Sequence, residues 1–99
     1  MFYIYVLYSK TADKYYIGQT DDVQRRLLEH NTVIKNSFTS RYRPWILKAS
    51  FEVSESRGEA RRIESYLKKR RSRRTIERLI VHPEGFRNII RMVRAVLRS

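Results

Sequence analysis

Phe2-Tyr3-Ile4-Tyr5-Val6-Leu7-Tyr8, then Lys10-Thr11-Ala12-Asp13-Lys14, then Tyr15-Tyr16-Ile17-Gly18-Gln19-Thr20 form the stretch that decides the fold. The first segment is β-branched and aromatic, with apolar residues at both parities. That is the pattern of a strand covered on both faces, so it is predicted to be central. The second segment is polar and turn-like and the third is again strand-like, which together predict an antiparallel hairpin. Gly18 near its end permits a close backbone approach.

Downstream of the hairpin, Asp21 followed by Gln24 resembles a capping box, with Val23 and Leu27 stacked at i, i+4 on a helix that runs to about His30 and stops at Asn31. Residues 32–44 read as a loop closed by Arg43-Pro44, because the residue before proline is pushed out of the helical region. Trp45, Leu47, Ala49, Phe51 and Val53 then alternate with Ile46, Lys48, Ser50 and Glu52, the period of a strand with one buried face. Ser56 and Glu59 form a second capping box, opening a helix with Ala60, Ile63 and Leu67 at helical spacing. Ile76, Leu79 and Ile80 predict a third helix ending before His82-Pro83. Over residues 83–99, Phe86, Ile89, Ile90, Val93, Val96 and Leu97 share one face while Arg87, Arg91, Arg94 and Arg98 share the other. This is a basic amphipathic helix.

The chain has 99 residues, 22 of them Lys or Arg and 10 Asp or Glu, for a formal charge of +12. At that length it is expected to build one core and one domain over residues 1–99. With 41% hydrophobic residues it is too apolar for a disordered basic tail. Zero cysteines exclude disulfide frameworks, thiolate-bound zinc, iron–sulfur clusters and thiol nucleophiles, so any metal must sit on oxygen or His. No apolar run approaches the ~18 residues of a membrane span, and the apolar start lacks the flanks of a secretory signal, which leaves the cytoplasm or another reducing compartment as the expected location. The positive charge draws polyanions, nucleic acid first. It is uneven: 8 basic and 4 acidic residues stand in 1–50, against 14 and 6 in 51–99.

Three sets of residues carry possible chemistry. Tyr5 and Tyr16 lie on one face of the sheet if the hairpin pairs odd with even positions. Either two phenols face one site, or two tyrosines simply pack where strands favour them. Arg26 and His30 are neighbours on the first helix, suited either to clamp a phosphate and accept a proton or to line a solvated helix face. Glu64 falls about 90° from the centre of the Ala60, Ile63, Leu67 stripe, at the rim of the buried face. It is open to two roles, an ordinary ion-pair partner or a hard oxygen ligand for Mg²⁺.

Taken together, these positions resemble the GIY-YIG nuclease superfamily. The resemblance runs from Tyr3-Ile4-Tyr5-Val6-Leu7 through Tyr16-Ile17-Gly18-Gln19-Thr20, the stretch Asp22 to Asn31, Phe38-Thr39-Ser40-Arg41, Arg43-Pro44-Trp45 and Glu59-Ala60-Arg61-Arg62-Ile63-Glu64. It covers about residues 2–80 and is most similar to small stand-alone members, leaving 83–99 as a C-terminal helical extension. It implies an α+β fold, a three-stranded antiparallel β-sheet flanked by α-helices, with a single-metal site that hydrolyses phosphodiester bonds. By position, Tyr5 and Tyr16 take the places of the two motif tyrosines, Arg26 and His30 those of the helix pair, and Glu64 that of the metal ligand.

The roles this implies are a Tyr5 base whose phenolate is favoured by His30, the metal or Arg26, with His30 as proton relay. Tyr16 positions water or phosphate, Arg26 binds the scissile phosphate, and Glu64 anchors Mg²⁺, for which Mn²⁺ can substitute. Two departures stand out: Tyr3 replaces the Gly of the first triplet, and Ile76 and Leu79 stand near where some members carry an Asn.

The backbone-binding surface is expected from Arg57, Arg61, Arg62, Lys68, Lys69, Arg70, Arg71, Arg73 and Arg74, with Arg25 beside the site. Arg41 and Arg43 interleave with Tyr42 and Trp45, a pattern suited to an unpaired base, although Trp45 reads better as core. The resulting expectation is a Mg²⁺-dependent endonuclease that selects DNA shape and serves repair or processing, with DNA favoured over RNA. The alternatives are a non-cleaving nucleic-acid-binding protein, or an interaction module that recruits a protein partner or a second copy through residues 83–99.

Overall fold

The computed structural model describes residues 1–32, 39–70 and 72–98. Strand β1 (Phe2–Ser9) is followed by β2 (Lys14–Thr20), helix α1 (Val23–Asn31), a 3₁₀ turn (Thr39–Tyr42), β3 (Trp45–Ser54), α2 (Arg57–Lys69), α3 (Arg73–Val81) and α4 (Gly85–Arg98). The sheet is antiparallel in the order β2-β1-β3, so the strand with apolar residues at both parities is the central one. The hairpin turn places Asp13 in the left-handed region at φ 52°, a conformation that Asp tolerates better than most residues.

Helices cover both faces of this sheet. On one side Ile4, Val6 and Ile17 pack with Ala60, Ile63 and Leu67 of α2, Ile76 and Leu79 of α3, and Phe86, Ile90 and Val93 of α4. On the other, Tyr5, Leu7 and Trp45 pack with Val23 and Leu27 of α1. The central strand needs apolar residues at both parities because each face has its own core.

Strand β3 departs from the expected single buried face. Ala49 and Phe51 pair with Val6 and Ile4 and join the α2–α4 core, whereas Trp45 and Leu47 pair with Ser9 and Leu7 and join the α1 side. A register shift between Val6 and Leu7 causes the exchange. One extra residue on β3 reverses which parity faces which core, so unbroken alternation in sequence serves two cores in succession.

Helix α1 is capped one residue later than the sequence suggested. Asp22, not Asp21, accepts from the Arg25 backbone N–H at 3.0 Å, and Thr20 Oγ1 holds Asp22 in place by accepting its N–H at 3.1 Å. Asp21 instead pairs with Arg25 Nη2 at 2.9 Å. The cap of α2 forms at Ser56, which accepts from the Glu59 N–H, but the Glu59 carboxylate turns away to Arg94 at 2.6 Å. Arg94 also donates to the Val53 carbonyl at 2.9 Å. A residue expected on the solvent face of α4 thus clamps that helix to both β3 and α2. The expected placements of Leu97 and Arg98 side chains lie outside the described part.

Helix α4 belongs to the core. Phe86 is 2% exposed and stacks on Phe51 with ring centroids 4.2 Å apart. Phe86→Ala is expected to lower the free energy of urea unfolding by about 3–5 kcal/mol. A loss below ~1 kcal/mol would mean that α4 lies on the fold without supporting it.

Candidate active site

The hairpin register brings the motif residues together. Tyr5 pairs with Gly18 and Leu7 with Tyr16, which sets Tyr5 and Tyr16 diagonally on the α1 face with ring centroids 6.2 Å apart. Gly18 is required there for space. A Cβ on it would lie 2.4 Å from Tyr5 Oη and 2.6 Å from Cζ, so the phenol lies across the position any other residue would fill.

His30, in the last turn of α1, faces both rings, at 5.8 Å from Tyr5 and 4.8 Å from Tyr16 between centroids. Its Nε2 is 2.8 Å from Tyr5 Oη, a hydrogen bond between groups 3% and 1% exposed. The end of α1 is fixed by Asn31, whose side chain accepts from the Trp45 N–H at 2.5 Å and donates to the Trp45 carbonyl at 3.0 Å. Sequence reasoning gave Asn31 only the role of a helix stop. Its place beside His30, at a helix end that must meet a strand, was the available signal.

The electrostatics differ from the expectation of a phenolate-favouring neighbourhood. Burial pushes the Tyr5 phenol up to about 12, Tyr16 and the Glu64 carboxylate add to the rise, and only the Arg26 guanidinium opposes it. Burial also lowers His30 to about 4, with the Arg26 charge acting in the same sense. At neutral pH the pair is therefore a phenol and a neutral imidazole. Arg26, which can only donate, approaches the Tyr5 oxygen and is itself held by Glu29 at 3.0 Å. This arrangement lets the Tyr5 hydroxyl donate to His30 Nε2 in the tautomer that carries its proton on Nδ1.

Glu64 lies at the rim, as its helical angle implied, with its side chain 19% exposed. Although α2 packs its apolar stripe on the opposite face of the sheet, Lys68 one turn on lies over the Tyr16 ring at 5.4 Å, so α2 reaches the site around the outer edge of β2. Lys68 Nζ sits 2.8 Å from Glu64 Oε1.

The donor set decides what kind of metal site is possible. No group of three or more His, Asp or Glu side chains able to hold a metal occurs among the described residues. Mg²⁺ commonly keeps several waters and is anchored by one or two carboxylates together with substrate phosphates. Glu64 fits that mode, since it is a partly open hard-oxygen donor that already carries a cation, Lys68. It does not fit a metal caged by protein.

The remaining basic residues are sorted by the fold. On α2 the spacing i, i+4, i+7, i+11 aligns Arg57, Arg61, Glu64 and Lys68 along one stripe, while Arg62 and Lys69 line a separate groove beside Val93 and Val96 of α4. Arg25 is paired with Asp21 and Glu29, and Arg73 with Asp13 at 2.6 Å. Arg57 and Arg70 cover the rings of Phe2 and Tyr66. Arg41, Arg43 and Arg74 are exposed, and Arg71 lies outside the described residues. Trp45 is buried as core.

The pH dependence follows from His30. The folded protein binds the His30 proton only near pH 4, whereas an unfolded histidine binds it near ~6.5. The unfolded chain holds more protons between these values, so His30 contributes fully above ~6.5 and its contribution is lost as pH falls toward 4, on the order of 3 kcal/mol in all. His30→Gln, which cannot titrate, is expected to flatten unfolding free energy measured by urea across this window. An equal slope in both proteins would show that His30 titrates normally.

Sequence comparisons agree with this geometry. The family model of the GIY-YIG catalytic domain matches residues 1–77. The chain is 43% identical over 68 residues to UPF0213 protein lin0209 of Listeria innocua, spanning 68% of this chain and 72% of that protein. UPF0213 protein lmo0166 of Listeria monocytogenes is likewise 43% identical over 68 residues, again spanning 68% and 72%. No solved structure gives a significant match. No helix among the described residues is long and apolar enough to cross a membrane. With the model match spanning most of its length and the tyrosine, glycine and histidine positions in mutual contact, the chain belongs to the GIY-YIG family of nuclease-type domains.

Proposed function

We propose that this protein is a divalent-metal-dependent endonuclease that hydrolyses DNA phosphodiester bonds, selects the shape of its substrate over its sequence, and serves DNA processing or repair in a reducing compartment such as the cytoplasm. The buried Tyr5–His30 hydrogen bond beside Arg26 carries this reading. It joins the phenol to a neutral imidazole able to accept its proton, with a guanidinium at the same oxygen.

In this mechanism the phenol serves as a conduit for the proton. As water attacks the phosphorus, its proton passes to Tyr5 Oη while the Tyr5 hydroxyl proton passes to His30 Nε2, so neither group has to rest in its charged form. Arg26 donates to the phosphate oxygens as their charge grows, and Tyr16 orients the water or phosphate through its hydroxyl. Glu64 would hold Mg²⁺ or Mn²⁺, which when bound neutralises charge on the phosphate and the departing oxygen. The Arg57, Arg61, Lys68 stripe in line with Glu64 suits the neighbouring backbone phosphates.

One observation favours the alternative, a nucleic-acid-binding protein that does not cut. The cation position at Glu64 is already filled by Lys68. A rim ion pair of this kind, with its lysine half-exposed, is worth on the order of 1 kcal/mol, however, and yields to a divalent ion and a phosphate arriving together.

The deciding experiment is cleavage of labelled duplex, flap, forked and single-stranded DNA with Mg²⁺, Mn²⁺ or EDTA. Wild-type protein is expected to cut only with metal, and Glu64→Gln and Tyr5→Phe to lose about 10²–10⁴-fold in rate while still binding DNA. Cutting that survives Glu64→Gln, or tight binding with no cutting of any substrate, would overturn the nuclease assignment.

A further inference from the structure

The outer edge of β2 is flanked by a cleft of about 620 Å³, of whose basic and aromatic lining the proposed chemistry uses only Tyr16 and Lys68. This volume lies within the ~300–1,000 Å³ range of small-ligand sites. Its walls bring together Tyr15, Tyr16 and Trp45 with Lys14, Lys68 and Arg73. Tyr16 and Lys68 also belong to the site above, so the cleft opens directly beside the proposed position of the scissile phosphate.

The two tyrosines are arranged alike. Lys68 lies over the Tyr16 ring at 5.4 Å and is held by Glu64 at 2.8 Å. Arg73 lies over the Tyr15 ring at 5.5 Å and is held by Asp13 at 2.6 Å. Each ring is thus covered by a half-exposed cation restrained by carboxylate, Arg73 having Glu77 at 3.9 Å as a second partner. A phosphate entering between Lys14, Lys68 and Arg73 competes with those carboxylates for the cations. Drawn toward it, the cations leave an aromatic face or a guanidinium plane, both of which stack nucleobases. A base within a duplex has its faces covered by neighbouring bases and cannot use such a surface, and an acidic peptide would use the cations without the rings.

We propose that this cleft holds one unpaired nucleotide next to the bond to be cut, its base against Tyr15 and its phosphate among Lys14, Lys68 and Arg73, so that the substrate class is DNA with a single-stranded segment at the cleavage point. The proposal deepens the nuclease reading, and its test does not need cleavage.

Fluorescence anisotropy in EDTA, with short oligothymidylate, an abasic strand of the same length and a duplex as probes, reads binding without cleavage, and the difference between the base-bearing and abasic strands isolates the contribution of the base. The wild type is expected to prefer the base-bearing strand over both others. Tyr15→Leu should weaken oligothymidylate binding about fivefold or more while leaving abasic binding unchanged, and Tyr15→Phe, which keeps the ring and loses only the hydroxyl contact to Glu77, should retain the preference. Lys14→Gln should weaken both single strands and shallow the salt dependence. Equal wild-type affinity for the base-bearing and abasic strands, or an equal loss in Tyr15→Leu and Tyr15→Phe, would overturn the proposal. A protein with the expected preference that never cuts would overturn the nuclease reading and leave the cleft standing.

Discussion

The hydrogen bond between Tyr5 Oη and His30 Nε2, made in near-complete burial, is the contact around which the active face is built. It constrains three separate elements. Gly18 has to lack a side chain so that the phenol can cross β2, and the register of the hairpin has to place Tyr16 beside it. Helix α1 has to end where His30 meets the rings, which the two Asn31 contacts to the Trp45 backbone enforce. A buried polar pair of this kind costs desolvation unless both partners are satisfied. Burial keeps the phenol protonated and the imidazole neutral; the Arg26 guanidinium opposes the first effect and reinforces the second, and the Glu29 carboxylate opposes the second.

The rest of the fold positions this pair between two cores. The sheet carries α1 on the side of the tyrosines and α2, α3 and α4 on the other. Glu64, the carboxylate that raises the Tyr5 phenol, arrives from the far-side layer at the outer edge of the sheet. Of the 22 basic residues, several are spent on holding the structure: Arg94 fastens α4, Arg73 ties the hairpin turn to α3, and Arg25 and Arg26 are braced by acidic neighbours. On α2, Arg57 covers the Phe2 ring and Lys68 pairs with Glu64, in line with Arg61.

Much of this was legible in the sequence because it rests on local periodicity. The two-faced β1, the existence of the hairpin, the capping serine of α2 and the rim position of Glu64 all follow from spacing alone, whereas the odd-to-even register came from the structure. The exchange of faces along β3 was not legible, since alternation is a property of one strand and a bulge is a property of a pair. The cap of α1 moved by one residue because Thr20, on the preceding strand, fixes Asp22. The Arg73–Asp13 and Arg94–Glu59 pairs join residues 60 and 35 positions apart, beyond any pattern read along the chain. At Tyr5 the Arg26 guanidinium acts in the expected direction, but the larger effect is burial, which depends on the assembled cores and leaves no mark in the sequence.

The account therefore turns on where one proton lies. ¹⁵N-edited NMR of the His30 ring at neutral pH reads it directly. The expected spectrum is that of a neutral imidazole with an unprotonated Nε2 accepting from Tyr5, and the Nε2 signal should shift in Tyr5→Phe. An imidazolium at neutral pH, or a proton on Nε2, would contradict the account, because His30 could then no longer receive the proton that Tyr5 releases.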